Sequence, residues 1–306
     1  MCTKWYSGMR NQGNASTIAI ALVLAGSSLQ PVAGQRYVEG PGRCPRESAR
    51  FRPCAIAKAK TFDPPRTADG KPSLEGFWQR TMLSNDNIEE HPASPGVRAD
   101  HSMVVDPVDG KIPYQPWAAA QRSKNLDYKY LDSHTLCYLQ GVPRSMYYAD
   151  VYQVLQPPGL VVFMFEEDHG YRIIPTDAHP HVGASIRMWQ GDSRGHWEGN
   201  TLVVDVTNQN EMHQFDRAWN FYSDGAHMVE RFTLIDADTI HYEVTVEDPS
   251  VYTRPWTMAF PIARLKEEAG FEVLEEACYE GNRNWEGLRD LGYKIYPGLT
   301  PARANP

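Results

Sequence analysis

Beyond its first few dozen residues, this chain of 306 has no apolar run approaching the ~20 residues a helix needs to cross a bilayer. Cysteine is scarce, with 5 in the whole chain, and there is no tract of Lys or Arg: 30 basic side chains stand against 38 acidic ones, for a formal charge of -8. An acidic chain without a basic stripe is a poor partner for nucleic acid or an anionic membrane surface. Neither nucleic-acid binding nor membrane insertion is therefore expected. No glycine-rich phosphate loop and no dinucleotide fingerprint occur, and long helical periodicity is rare. These exclusions leave a protein that handles a small-molecule ligand without a nucleotide cofactor.

The amino-terminal segment carries Lys4 and Arg10, then an apolar run from Ala15 to Gly26, then Val32-Ala33-Gly34. This is the order of a secretory signal peptide over 1–34, cleaved near Gly34, and it implies a periplasmic or secreted protein. Without Lys4 and Arg10 the formal charge of the remainder is about -10. Cys44, Cys54, Cys137 and Cys278 remain. An even number in an oxidising compartment points to two disulfides, most simply Cys44–Cys54 and Cys137–Cys278.

Residues 35–69 are rich in Pro, Arg and Gly and read as an extended arm. Residues 70–284 read as the folded domain and 285–306 as a tail. Between Asn85 and Tyr130 the only helical window is Pro116 to Lys124, with Pro at the first turn; the rest reads as a long excursion across one end of the fold. From Val151 onward strands follow closely: Val151–Leu155, Leu160–Phe165, Tyr171–Ile174, Ile186–Trp189, Thr201–Thr207, Met228–Ile235, Thr239–Val246, Trp256–Arg264 and Phe271–Glu275. Turn residues such as Pro157-Pro158-Gly159 and Asp168-His169-Gly170 separate them. The pattern predicts an all-β, antiparallel meander with long loops and little helix. A closed barrel is favoured because closure removes sheet edges. Gly76-Phe77-Trp78 resembles the opening of lipocalin-like barrels, in which the Trp plugs one end.

The densest stretch is Arg187 to Gln209. Leu202, Val204 and Val206 alternate with Thr201, Val203, Asp205 and Thr207, the period of a strand. Glu198-Gly199-Asn200 supplies a tight turn, and Gly191 to Gly195 reads as another, ahead of a short strand carrying His196 and Trp197. The run GDSRGHWEGNTLVVDVTN resembles the signature of a large family of secreted bacterial proteins, W-x-G-x-S-x-G-x-W-E-G-D-T-L-V-V-D. In that family it is followed by V-V-E-R-F and T-R-P-W, here Met228 to Phe232 and Thr253 to Trp256. The likeness spans roughly Phe77 to Asn284. Asn200 stands where the family usually has Asp, and Asp192 where it often has Gly-His-Ser. The resemblance implies export but no particular reaction, and it aligns His181 with a loop His of the family.

Chemistry is expected in two places. On the Thr239–Glu247 strand, His241, Glu243, Thr245 and Glu247 share one face, and the preceding strand carries Glu230. If that face lines a cavity, Glu230 and Glu243 meet across the hairpin, and the paired carboxyls raise one pKa into general-acid range. The loop His181 is the second lead, since an imidazole titrates near neutrality. The expected catalytic set is therefore His181, Glu230 and Glu243. Asp192, Arg194, Glu198, Trp189, Trp197 and His241 are expected to contact the ligand. His179-Pro180-His181 has ligand spacing without a third partner, so no metal is expected. Ser193 in Gly191-Asp192-Ser193-Arg194-Gly195 lacks the strand-turn-helix setting of a hydrolase elbow.

The reading that unites these features is an exported barrel enzyme with a partly apolar ligand in its cavity. It would use cofactor-free acid–base chemistry of the lyase, isomerase or cyclase type. A non-catalytic ligand- or carbohydrate-binding module is the alternative, supported by 8 Trp and 16 Tyr.

Overall fold

The computed structural model describes residues 42–81, 86–94, 97–127, 132–134, 136–266, 271–274, 276 and 278. The leader and the tail expected over 1–34 and 285–306 lie outside the described residues. The elements are α1 (Ser48–Ala59), β1 (Gly76–Arg80), β2 (Val104–Asp106), α2 (Pro116–Asn125), α3 (Arg144–Tyr148), β3 (Val151–Leu155), β4 (Leu160–Phe165), β5 (Tyr171–Pro175), β6 (Asp192–Glu198), β7 (Thr201–Thr207), β8 (His227–Asp236), β9 (Thr239–Glu247) and β10 (Trp256–Arg264).

All the strands join one antiparallel sheet in the order β5-β4-β3-β1-β10-β9-β8-β7-β6, with β2 pairing on β10. The sheet rolls into a nearly closed barrel. Its two ends, β5 and β6, meet through side chains. A methyl group on Gly195 of β6 would lie 2.9 Å from Cγ2 of Ile174, just before the end of β5, so only glycine permits that approach. At the β6–β7 hairpin, Gly199 has φ 59°, the left-handed conformation a tight turn requires.

Strand alternation decides the interior. Leu202, Val204 and Val206 of β7 and Tyr242, Val244 and Val246 of β9 are fully buried, while their neighbours face outward. Aromatic rings fill the barrel in a chain of contacts: Tyr152–Phe163 at 5.9 Å, Phe163–Phe232 at 5.4 Å, Phe232–Tyr242 at 5.0 Å and Tyr242–Phe260 at 4.7 Å. Where the sequence predicted a ligand cavity inside the barrel, these rings pack against one another. Trp78 is fully buried, donates from Nε1 to the Leu74 carbonyl at 2.8 Å and is capped by the Arg264 guanidinium 4.2 Å from its ring centre.

The sequence expectation fails at several elements. The expected extended arm contains α1, a helix laid on the outer face of the sheet. Phe51 and Ala55 of α1 are buried with Ile235, and Lys58 pairs with Asp236 at 3.0 Å. Its Pro53 and weak amphipathicity hid the helix, which is fastened by tertiary contacts and the Cys44–Cys54 disulfide. The turn expected at Gly191–Gly195 is instead the start of β6, because the ladder Asp192↔Thr207 through Glu198↔Thr201 overrides turn-forming residues. Ile186–Trp189 forms no strand and makes one isolated bridge, Met188↔Gln209. Of the strand expected at Phe271–Glu275, residues 271–274 are irregular and Glu275 lies outside the described residues. The excursion expected over the end of the barrel does cover it: Met103, Ile112 and Ala118 enter the main core.

Both expected disulfides are present. Cys137–Cys278 links residues 141 apart, with a Cα–Cα distance of 5.6 Å. Closing so long a loop stabilises the fold by roughly 4–5 kcal/mol on chain-entropy grounds. No helix among the described residues is long and apolar enough to cross a membrane.

Candidate functional site

The residues expected to act together are divided among different environments. In the β8–β9 register Glu230 faces Val244 and Arg231 faces Glu243. Glu230 therefore points into the barrel and Glu243 out of it, and the predicted carboxylate pair does not form. Glu230 is fully buried. Arg172 of β5 grips it with both terminal nitrogens, one at 3.0 Å and the other closer, and Tyr242 donates to it at 2.7 Å. The same guanidinium reaches Ser193 Oγ at 3.0 and 2.9 Å. Each charge is thus paired and hydrogen-bonded, which is how such groups survive burial.

Glu243 lies under α1, where Arg52 forks onto it at 2.6 and 3.2 Å. His241 lies beside it, edge-on to Phe51 with ring centres 5.4 Å apart. Burial pushes its pKa down to about 4 against the opposing pull of Glu243, so the ring is neutral at physiological pH.

His181 stands on the outer face of β6–β7. Its Nδ1 is 2.8 Å from Asp192, and its Nε2 is 2.7 Å from Asp205, which the sequence reading did not select. Asp205 also takes His227 at 2.7 Å, and Arg194 braces Asp192 at 3.0 Å. Both imidazole nitrogens of His181 are thus occupied by carboxylates, and the chain lies on an open sheet surface. Glu198 is exposed and joined to Arg231 at 2.5 Å. Trp197 packs against the core from its edge, and Trp189 stacks on the partly exposed Tyr138 at 4.7 Å with 12° between planes. A separate surface groove of about 560 Å3, lined by Arg46, Glu90, His91, Asp100 and His101, contains none of the expected residues.

A further cluster sits where the loop after α2, the short buried α3 and the turn after β4 converge. Arg144 of α3 is clamped to Asp132 at 2.5 and 3.0 Å. Burial alone would raise the Asp132 pKa, but the charge and hydrogen bonds of Arg144 outweigh it and hold the carboxyl below its usual range. This clamp fixes the turn bearing His134, whose backbone is also hydrogen-bonded to Cys137 at 2.9 Å next to the long-range disulfide. Tyr148, at the end of α3, hydrogen-bonds Nε2 of His134. Burial, then the neighbouring Glu167, raises the phenol pKa, so the phenol keeps its proton.

After β4, Glu167 to His169 forms a single 3-10 turn in which Asp168 has φ 58°, a conformation few L-residues other than Asn and Asp adopt readily. The turn drives two carboxyl groups inward. Asp168 is 4% exposed in its side chain, with Oδ2 4.0 Å from Nδ1 of His134, beyond hydrogen-bond reach. Both oxygens of Asp168, Oε2 of Glu167 and Nδ1 of His134 are buried and have no hydrogen-bond partner among the described residues. Burial, reinforced by Asp150 and only partly offset by Arg80, pushes the Glu167 pKa up to about 9. Chemically these are a carboxyl held neutral at Glu167 and, 4.0 Å from the next residue's carboxyl, an imidazole with one open nitrogen, the two functions acid–base catalysis requires.

Sequence reasoning missed all four residues of this cluster. Asp168-His169-Gly170 was legible only as a turn, and the residues lie on loops, turns and a five-residue helix too short for periodicity to show. Comparison with family models, curated proteins and solved structures finds no match to this chain. The site must therefore be read from its own chemistry.

Proposed function

We propose that this chain is an exported enzyme that transforms a small molecule by acid–base chemistry, with the cluster of His134, Tyr148, Glu167 and Asp168 as its centre. The reading rests on one observation: a buried carboxyl kept protonated to about pH 9 and a buried imidazole nitrogen both keep open valences around Tyr148 and Asp168. His134 serves as base through Nδ1. Tyr148 on Nε2 fixes its orientation, and in the tautomer with Nδ1 unprotonated Nε2–H donates to the phenol oxygen. Glu167 supplies the proton to a developing oxyanion or a leaving group. Lyase or isomerase steps need such an acid and base and no redox centre. Export follows from the leader-like sequence over 1–34 and is supported by the two disulfides. The same export is implied by the resemblance to the secreted bacterial family.

The alternative, a module that binds sugars or apolar ligands without turnover, is favoured by the exposed Tyr138–Trp189 stack, a flat platform suited to a sugar ring. Solvent exchange separates the two readings. A panel of small amino ketones, ketones, aldehydes and hydroxy acids is incubated with the protein in D2O, and deuterium uptake beside the carbonyl is read by mass spectrometry. Protein-dependent exchange that falls by something like 10²- to 10⁴-fold in Glu167→Gln and His134→Ala is expected. Uptake identical in wild type and both variants, or no uptake alongside retained binding to polysaccharide, decides for the binding module.

A further inference from the structure

Building on that acid–base reading, we infer that the ligand of this site is a small organic ammonium, anchored by Asp168. Asp168 is more deeply buried than the imidazole it faces, 4% exposed in its side chain against 13% for His134. A carboxylate removed from water without a donor is strongly destabilising, and a cationic donor relieves that penalty. Nearby cations are already committed: Arg80 is ion-paired to Asp150 and Arg144 to Asp132, while Arg217 lies 3.5 Å from Asp86. The charges acting on Glu167 are those of Asp150, Glu276 and Asp168, with Arg80 as the opposing cation. Local charge therefore favours a cation over an anion.

Geometry narrows the choice further. The 4.0 Å gap between Oδ2 of Asp168 and Nδ1 of His134 is too wide for a direct hydrogen bond. An ammonium nitrogen set about 2.8–3.0 Å from Oδ2 of Asp168 would donate to the carboxylate and leave the carbon beside it facing Nδ1 of His134, which stays open to act as the base. A carboxylate ligand would face Asp168 with like charge. An alcohol donates one hydrogen bond but brings no positive charge to the buried carboxylate. The strained turn at Asp168 is consistent with a role beyond folding, since such conformations persist where surrounding structure enforces them.

The test uses three probes that differ only in their polar group: benzylamine, benzyl alcohol and benzoate, titrated calorimetrically into the full exported protein near pH 7. Benzylamine is expected to bind at least tenfold more tightly than the alcohol, with benzoate weakest. Asp168→Asn should remove that advantage and leave the alcohol unchanged. Asn tolerates the left-handed backbone, so the variant should keep its fold. Independently of any variant, benzylamine should raise the Tm of the wild-type protein more than benzyl alcohol at equal concentration.

Equal affinity for amine and alcohol, tighter binding of benzoate, absence of binding by all three, or benzylamine affinity unaltered in Asp168→Asn would each overturn the inference. Failure here is distinguishable from failure of the enzymatic reading. Deuterium exchange without amine preference removes only the ligand class, whereas amine binding without exchange leaves a binding site and removes the enzyme.

Discussion

Two buried polar networks in this protein differ in how completely their bonds are made. Across the barrel interior, Arg172, Ser193, Glu230 and Tyr242 satisfy one another, with both charges paired and the hydroxyl groups engaged. At the rim, Glu167, Asp168 and His134 are less fully withdrawn from water, yet their buried atoms are left open. Burial of charge alone thus does not mark a functional site. A saturated network stabilises a fold, while an unsaturated one stores binding or catalytic potential that a ligand can release.

The largest effect expected from breaking this contrast is in the interior. Arg172→Met or Glu230→Leu alone should lower stability by roughly 3–5 kcal/mol, because each leaves its partner charged, buried and unpaired. The double variant should recover most of that loss. Urea denaturation of the three proteins measures it, and a single variant costing under about 1 kcal/mol would mean that water reaches the pair.

At the rim the sign reverses. Glu167 has its pKa raised from 4.5 to about 9, so the fold favours the protonated form. Its contribution to stability is complete below pH 4.5 and is lost as pH rises toward 9, amounting to roughly 3 kcal/mol by pH 7. Glu167→Gln should therefore make the protein more stable at neutral pH and flatten its stability profile between pH 4.5 and 9, even as it removes turnover. An unchanged profile would show that Glu167 ionises freely in the fold.

The smallest effect is expected on the outer face. His181, Asp192 and Asp205 are joined by hydrogen bonds, but Asp205 is 38% exposed in its side chain and the imidazole 27%. Solvent screening limits such pairs, so His181→Gln should change stability by less than about 1 kcal/mol and leave exchange activity intact. A loss of activity tenfold or greater would move the centre of chemistry back to this surface.

The barrel was legible because antiparallel strands with one buried face advertise themselves by alternation. Thr201–Thr207 and Trp256–Arg264 occupy the spans the sequence predicts, and the split of β7 into a buried and an outward face holds except at Val203, which is covered on the outward face. Alternation also separates Glu230, which shares the buried face of Met228, Phe232 and Leu234, from Glu243, which lies opposite Tyr242, Val244 and Val246; the expected pair required the polar face of β9 to line the interior, and the apolar face does so instead. His241 and Glu243 looked like cavity residues because their polar face has no sequence signature of the helix that covers it. The rim cluster brings together residues 34 positions apart through loops and a five-residue helix, so only the tertiary fold could reveal it.

The seam between β5 and β6 gives the barrel a further property. Where strands share a ladder, separation breaks a row of backbone bonds, but here the join is a fastening of side chains, in which the Arg172 guanidinium of β5 reaches the Ser193 hydroxyl of β6 and, beyond it, the carboxylate of Glu230 on β8. Seen as a mechanical object, the molecule is a rolled strip with a clasp and not a seamless ring. Its easiest deformation is to unroll from that line while the remaining ladders stay intact, so backbone amides flanking the seam should trade hydrogen with water well before those of β8 and β9.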